Sequence, residues 1–304
     1  MSDAATVNMF WHGQRLPPLA WACMRSFADR GHQLRVFCYH DLEIPAGVEL
    51  ADAGSVLSRE VGLDEHRVVA AFSDIFRYEL LYKYGGWWVD TDVFCLTPHL
   101  PSEPYAWAEQ EPGIVNGAIL RFPKNDALCS KLLGKARKRR RKAHAFGAIG
   151  PNLLTKYVAK RTDLPNSGST ARFYPWNWLE AFLVWFPGTK SEVLRRAEGA
   201  LFVHFWDYAL RQMGMDAFRD PPPGSYWAEL IENCPNRLTS DAGYLGEAEK
   251  SVRNFGEKFW NPDRWSAFLE KHPELFAPEH VQSPTSSPTE EENWQQKPRR
   301  NSGR

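Results

Sequence analysis

Two aspartates separated by one residue, Asp90-Thr91-Asp92, are the part of the sequence best suited to chemistry. They follow Gly85-Gly86 in a segment that predicts a strand, and alternate side chains of a strand share one face. We therefore expect both carboxylates to face one cavity, about 6.5 to 7 Å apart along the strand. Mg²⁺ and Mn²⁺ prefer such oxygen ligands together with substrate phosphates. The pair predicts a divalent-metal site, and a solvated turn is the alternative explanation for so short a motif.

The helix predicted before these aspartates carries further polar candidates. Asp74 and Arg77 are three residues apart and lie on one side of it, whereas Glu79 and Lys83 fall on roughly the opposite side. We expect the second pair to face solvent and the first to face inward, toward the two aspartates. Two explanations stay open for an inward acid and base. They form a buried ion pair that joins the helix to the sheet, or they hold a polar ligand.

The order of predicted elements indicates an α/β fold. A strand, a helix and a second strand within the first 40 residues are typical of a parallel sheet flanked by helices. The sequence predicts strands at 6–11, 33–39, 87–96, 116–122 and 201–209, and helices at 17–30, 64–84, 125–144 and 150–160. Asn125 is expected to cap the third of these helices, and Pro151 to lie in the first turn of the fourth.

Length and composition predict a single folded domain with a short tail. The chain has 304 residues, of which 43% are hydrophobic, enough for a sizeable core. We assign residues 1–280 to one domain. Residues 281–304 are rich in Ser, Pro and charge, so a disordered tail is predicted there.

Charge and cysteine content exclude several classes of protein. Lys and Arg number 37, as do Asp and Glu, so no overall field attracts nucleic acid or a membrane. Five scattered cysteines without a CxxC pair argue against a disulfide framework or a zinc cluster. No signal peptide and no run of about 18 apolar residues is present, so a cytoplasmic location is expected.

A basic run at 135–142 is the exception to this balanced charge, with seven cations in eight residues. A helix terminus that complements its own dipole would account for two or three of them. An acidic membrane surface is favoured equally with that explanation, and an anionic glycan or nucleic acid is less favoured. We therefore expect a location in the cytoplasm, with peripheral contact at the inner face of the membrane, and no nucleic-acid partner.

The segment from Ser73 to Asp92, with its SDIFR and GGWWVDTD runs, resembles the signature of glycosyltransferases that carry the DXD sugar-binding motif. That family includes capsule and lipopolysaccharide sugar transferases and yeast outer-chain mannosyltransferases. The glucosyltransferase domains of large clostridial toxins are more distantly similar. Weaker matches extend the resemblance over residues 7 to about 208; they lie at 10–13, 116–117, 150–151 and 204–206.

The resemblance implies a GT-A type fold, with a mixed central sheet, flanking helices and a helical C-terminal extension. It also implies Mn²⁺ or Mg²⁺, a nucleotide-sugar donor with UDP favoured over GDP, and a saccharide or glycolipid acceptor. By the same resemblance Asp92 binds the metal directly, and Asp90 binds ribose or the metal through water. Asp74 and Arg77 hold hydroxyls of the donor sugar. The catalytic set is then Asp74, Arg77 and Asp92.

Weaker matches add donor-site candidates, each with a structural alternative. Trp11 would stack on the nucleotide base, or is a core tryptophan. His204 would bind the metal or diphosphate, or is a hydrogen-bonded histidine at a sheet edge. Asn116 would line the donor-sugar or acceptor site. The aromatic run at 176–178 is a possible acceptor platform, although such runs more often belong to the core.

No side chain presents itself as a nucleophile. The resemblance implies transfer with retention, and we favour a front-face reaction over double displacement because no second carboxylate has a defined geometry. A nucleotide-sugar or glycan-binding protein without turnover is the alternative from a different class. A two-metal nuclease or phosphotransferase ranks below both, since no P-loop pattern is present.

Overall fold

A computed structural model describes residues 6–59, 66–139, 147–159 and 161–276. Its strands are β1 (Val7–Phe10), β2 (Leu34–Cys38), β3 (Val48–Asp52), β4 (Gly86–Val89), β5 (Val93–Cys95), β6 (Glu109–Glu111), β7 (Ile114–Val115), β8 (Ile119–Phe122) and β9 (Phe202–His204). Its α-helices are α1 (Pro18–Ala28), α2 (His66–Tyr84), α3 (Ala127–Arg139), α4 (Pro151–Val158), α5 (Thr170–Phe173), α6 (Lys190–Ala197), α7 (Asp207–Gln212), α8 (Tyr226–Ile231), α9 (Ala242–Phe259) and α10 (Pro262–Lys271).

The central sheet has the order β3-β2-β1-β4-β8. The first four strands run parallel, and β8 is antiparallel to β4. Helices cover both faces, and a helical segment from α8 to α10 follows the last strand. The predicted α/β class, with its mixed sheet and C-terminal helical extension, is confirmed.

Strand β4 is buried on both faces, as the tryptophan pair in it requires. Trp87 and Trp88 point to opposite faces, and each is at most 1% exposed. Trp87 packs in the core formed with α1 and the C-terminal helices, and Trp88 packs in the core formed with α2, α3 and α4. Because both sides of the strand are fixed, the position at which the chain leaves it is fixed as well.

Two glycines connect helix α2 directly to this strand. Gly85 and Gly86 have φ values of +69° and +84°, a region that side-chain-bearing residues rarely adopt. A β-carbon at Gly86 would lie 2.8 Å from the carbonyl oxygen of Thr6 in the segment leading into β1. The pair therefore sets the close approach of the helix end to the sheet.

Three local predictions are wrong in detail. The strand predicted at 87–96 is interrupted: the chain turns at Asp90 to Asp92, where the amide of Val93 donates to the Asp90 carbonyl at 3.1 Å. The alternation argument for the two carboxylates therefore does not apply.

The cap of α3 is the second wrong prediction. Asp126 rather than Asn125 caps the helix, since its carboxylate accepts from the amide of Cys129 at 2.7 Å.

The third wrong prediction is the strand at 201–209. Only Phe202–His204 is extended, because the chain turns at Trp206 and begins a helix at Asp207.

The tail predicted at 281–304 and the last part of the basic run, 140–142, lie outside the described residues. In the part of the chain that the structure describes, no helix combines the length and the apolar character needed to cross a membrane.

An ion-pair cluster joins α10 to the rest of the molecule. Glu192 of α6 accepts from Lys271 at 2.6 Å and from Arg196 at 2.5 Å. Burial raises the pKa of Glu192, but the two cations outweigh it and hold the pKa at about 2. A group whose folded-state pKa is lowered stabilises the fold above its unfolded-state pKa, and this contribution is lost as the pH falls.

We expect Glu192→Gln to lower the free energy of unfolding at pH 7 by about 1 kcal/mol, because Lys271 is well exposed and its charge is screened. The difference from the wild type should shrink below pH 4.5 and vanish near pH 2. Urea unfolding at pH 7, 4.5 and 3 measures it. A difference that does not change with pH would contradict the ionic explanation.

Candidate metal and donor site

Three potential metal ligands converge where β4 and β5 meet. Strand β5 pairs with β9 in a register that places Val93 opposite His204. This register brings the imidazole Nε2 of His204 to 3.2 Å from Oδ2 of Asp92. One ligand atom each from Asp90, Asp92 and His204 lies within 4.8 Å of the others. The structure thus brings together the three residues predicted as metal ligands.

The segment after β9 holds Asp92 from the other side. The amide of Asp207 donates to Oδ2 of Asp92 at 2.8 Å, and the amide of Phe205 donates to the Asp92 carbonyl at 2.9 Å. Between them Trp206 has φ +58° and ψ +48°, a left-handed conformation that is strained for a bulky residue. Its indole donates to the carbonyl of Trp176 at 3.2 Å. The strained turn is what aims the Asp207 amide at Asp92.

Asp92 is held in its charged form. Burial raises its pKa, but His204, together with hydrogen bonds from His204 and the Asp207 amide, outweighs burial and lowers the pKa below the ordinary value. The neighbouring carboxyl of Asp207 behaves differently, since burial raises its pKa to about 6. Asp92 is therefore ionised at neutral pH, as a ligand of a cation must be.

Asp90 is fixed by two donors on a single oxygen. Its Oδ1 accepts from Nη2 of Arg77 at 2.8 Å and from the indole Nε1 of Trp88 at 2.7 Å. The described residues make these bonds to Oδ1 alone, so Oδ2 is the oxygen that a cation or a ribose hydroxyl would meet. The sequence indicates Trp88 only as part of the motif and gives no sign that its indole donates to Asp90.

Arg77 lies on helix α2 and bridges the carboxylates of Asp74 and Asp90. Its Nη1 donates to Oδ1 of Asp74 at 2.6 Å, while Nη2 holds Asp90. Arg77 is 5% exposed and the Asp74 side chain 14%, which confirms the predicted inward orientation. Burial raises the pKa of Asp74 to about 6, with Arg77 opposing it. The expected solvent-facing position is found for Lys83, whereas the Glu79 side chain is largely covered and pairs with Arg137 of α3.

Two glycines leave just enough room for this ion pair. A β-carbon at Gly117 would lie 2.6 Å from Nη1 of Arg77, and one at Gly150 would lie 2.7 Å from Oδ2 of Asp74. Both distances are shorter than any normal contact to a β-carbon. The weak sequence matches at 116–117 and 150–151 are thereby explained, because both segments pack against the Asp74–Arg77 pair.

We expect Gly150→Ala to lower the free energy of unfolding by about 1–3 kcal/mol, the usual cost of overpacking. Gly246→Ala is the matched control, since a β-carbon there meets nothing within 4 Å and the residue lies within helix α9. That control should stabilise the protein slightly, by up to about 1 kcal/mol. Urea unfolding compares the two, and equal effects would contradict the packing argument.

Trp11 lies at the end of β1, at one edge of the sheet. It follows β1, and its amide donates to the Phe37 carbonyl at 2.9 Å. Because β1 and β4 are adjacent and parallel, Trp11 and Asp90 leave the sheet at the same edge. The indole Nε1 of Trp11 is buried without a partner among the described residues. Trp11 is also partly covered by hydrophobic neighbours, so its base-stacking role stays a prediction.

Asn116 is engaged within its own loop. Its side-chain amide donates to Oε1 of Gln110 at 2.6 Å, and its Oδ1 accepts from the amide of Ala118 at 2.6 Å. These bonds hold the loop that carries Gly117 against Arg77. A direct contact of Asn116 with a ligand is untested, and its described bonds give it a positioning role.

The aromatic run at 176–178 divides between core and surface. Trp176 is buried in the core, and Asn177 caps a 3₁₀ helix in a capping box with Glu180. Trp178 is the partly exposed tryptophan of the run, and its ring meets those of Phe255 and Phe259 edge-on. The predicted platform is therefore reduced to one residue of the three.

A family model described as "Capsular polysaccharide synthesis protein" matches residues 66–106. This match confirms, over the motif segment, the resemblance noted in the sequence. No curated protein is significantly similar to the chain.

Solved structures of two glycosyltransferases are similar to the chain over most of its length. PaToxG glycosyltransferase is 13% identical with a TM-score of 0.41, and the similarity covers 82% of this chain and 85% of that one. A galactosyltransferase LgtC, in complex with donor and acceptor sugar analogs, is 12% identical with a TM-score of 0.39, covering 86% and 99%. At this level of similarity these structures assign no activity to the chain.

Proposed function

We propose that the chain is a metal-dependent glycosyltransferase that moves a sugar from a nucleotide-sugar donor to a saccharide or a lipid-linked saccharide. The observation that carries this proposal is the convergence of Asp90, Asp92 and His204 at the end of β4. An ion pair between Arg77 and Asp74 closes the side of the site next to Asp90. The family-model match over residues 66–106 supports it.

The residues present fit a divalent cation. Two carboxylates and one imidazole suit Mn²⁺, which accepts both oxygen and nitrogen ligands, better than Mg²⁺, which prefers oxygen alone. Asp92 is ionised, and Nε2 of His204 would exchange its present contact with Asp92 for a metal bond. A bound cation would neutralise the charge that develops on the departing nucleoside diphosphate.

The chain's own groups would then orient the donor. Asp90 would bind the cation or a ribose hydroxyl through Oδ2, because Arg77 and Trp88 hold its other oxygen. The Arg77–Asp74 pair would hold hydroxyls of the donor sugar. Transfer with retention through a front-face reaction needs positioning and charge rather than a nucleophile, and such a fixed polar site supplies both.

The donor nucleotide and the location of the protein are part of the same proposal. We propose UDP over GDP as the donor nucleotide, with Trp11 beside its base. We also propose a cytoplasmic location with peripheral membrane contact through residues 135–142. Of that run, the side chains at 137–139 are exposed on α3 in the described part of the chain.

A sugar-binding protein without turnover is the second candidate, because the same pocket would serve it. The experiment is a thermal-stability measurement with UDP-, GDP- and CMP-sugars, with and without Mn²⁺, followed by an assay of nucleotide release. A ligand that binds the native state raises the unfolding midpoint. A Mn²⁺-dependent shift with nucleotide release supports the transferase, a shift without release supports the binding protein, and the absence of any shift contradicts both.

A further inference from the structure

A cavity of about 460 Å³ lies between helices α7 and α9, beside Trp178. Its volume falls in the range of small-molecule sites, about 300–1,000 Å³. None of the residues discussed as metal or donor ligands lines it. The cavity is therefore separate from the Asp90–Asp92–His204 cluster.

Each helix presents one continuous face to this cavity. Helix α9 contributes Ser251, Asn254, Phe255, Lys258 and Phe259, which recur at helical spacing and so share one side. Helix α7 contributes Tyr208 and Gln212, four residues apart. The two faces line the cavity together.

The aromatic rings of the cavity are unusually accessible. Tyr208 is 54% exposed and Phe259 is 45% exposed, among the largest exposed fractions of any hydrophobic side chain in the described residues. Trp178 also lines the cavity, is partly exposed, and contacts Phe259 edge-on. Exposed apolar side chains that are grouped around one cavity are typical of a binding site.

The remaining lining is polar but carries little charge. Gln212, Ser251 and Asn254 offer hydrogen-bond donors and acceptors, and Lys258 is the only charged side chain among the residues that line the cavity. A nucleotide would need more cations for its phosphates, and a lipid chain would need an apolar lining throughout. A saccharide presents apolar C–H faces and hydroxyl edges, which match rings flanked by amides.

The position of the cavity connects it to the candidate donor site. Helix α7 begins at Asp207, whose amide binds Asp92, and Tyr208 is the next residue. Gln212 lies about 6 Å further along the helix axis, at 1.5 Å per residue. The α7 residues that line the cavity therefore lie within about one or two helical turns of Asp207, whose amide binds Asp92.

We infer that the cavity between α7 and α9 binds the acceptor saccharide, with Tyr208 as the stacking surface and Asn254 and Gln212 as hydroxyl partners. Phe259 borders the cavity beneath Lys258, whose ammonium lies 4.9 Å from the centre of its ring. The acceptor role rests on the proposed function, whereas the saccharide binding does not. Lys258 adds a preference for an acidic sugar over a neutral one of the same length.

Saturation-transfer NMR with lactose, maltotriose and a chondroitin disaccharide, without donor or metal, tests the inference. The wild type should transfer saturation to at least one probe. Tyr208→Ala and Asn254→Ala should each weaken that binding at least tenfold. Tyr84→Ala is the matched control, because Tyr84 is also an exposed tyrosine on a helix but lies on α2 outside the cavity, and it should leave probe binding unchanged.

The experiments distinguish failure of the saccharide-site proposal from failure of the proposed transferase function. No binding of any probe to the wild type, or binding that survives both Tyr208→Ala and Asn254→Ala, would overturn the cavity assignment. A wild-type chain that binds a probe through Tyr208 but shows no Mn²⁺-dependent shift with any nucleotide sugar would leave the saccharide site standing and remove the transferase.

Discussion

Asp92→Asn should lower Mn²⁺-dependent nucleotide release by about 100-fold or more, the scale seen when one electrostatic stabiliser of a transition state is removed. Asp92 is a carboxylate of the cluster whose pKa is held below its ordinary value, so it carries a charge at neutral pH. Asparagine keeps an oxygen that accepts from the Asp207 amide but removes the charge. We therefore expect the Mn²⁺-dependent thermal shift to be lost and the midpoint without metal to stay within a few degrees.

Asp207→Asn is the matched control for this variant. The contact of residue 207 with Asp92 uses the backbone amide, which the substitution keeps. Asp207 pairs with Arg211 on the surface side of α7, and burial raises its pKa to about 6, so a neutral side chain is tolerated there. Near-normal Mn²⁺-dependent release by Asp92→Asn would remove the metal assignment, and an equal loss in both variants would indicate general damage to the turn.

Arg77→Met should lower the free energy of unfolding by about 3–5 kcal/mol, the usual cost of leaving a buried charge without its partner. Arg77 donates to both Asp74 and Asp90, so two carboxylates lose their cation at once. Adding Asp74→Leu to this variant should recover part of the loss, since the more deeply covered carboxylate is then absent. Urea unfolding of the single and double variants measures both effects.

Arg137→Met makes the same substitution at an exposed ion pair. Arg137 is 51% exposed and its partner Glu79 lies on the same helix α2 as Arg77. The expected cost is about 0–1 kcal/mol, typical of surface pairs. Similar costs for the two arginines would contradict the buried-bridge description of Arg77.

The local motifs could be predicted from the sequence because helix and strand periods and the glycine turn are local signals. The orientation of Asp74 and Arg77 follows from their spacing on α2 and was correct. The placement of Asp90 and Asp92 on one strand was wrong. One continuous strand and two short strands joined by a turn have the same apolar residues on either side of the aspartates, so the pattern does not distinguish them. Their convergence was nevertheless correct.

Contacts over long sequence separation could not be predicted by pattern alone. His204 reaches Asp92 through the β5–β9 pairing, 112 residues apart in numbering, and only the family resemblance indicated it. The hydrogen bond from the backbone amide of Asp207 to Asp92 uses no side chain of residue 207, so no residue type in the sequence indicates it. Trp206, whose left-handed backbone aims that amide, would be expected from its residue type to adopt an ordinary conformation.

The two glycines that pack on the ion pair also constrain how this chain can vary. No side chain fits at 117 or 150 while Arg77 and Asp74 keep their present positions. A relative that carries alanine or a larger residue at either position must therefore have changed the arginine, the aspartate or the path of the loop. Positions 117 and 150 are far from 74 and 77 in the sequence, yet a change at any of the four must be matched at another. We therefore expect the four residues to vary together among relatives that keep this site.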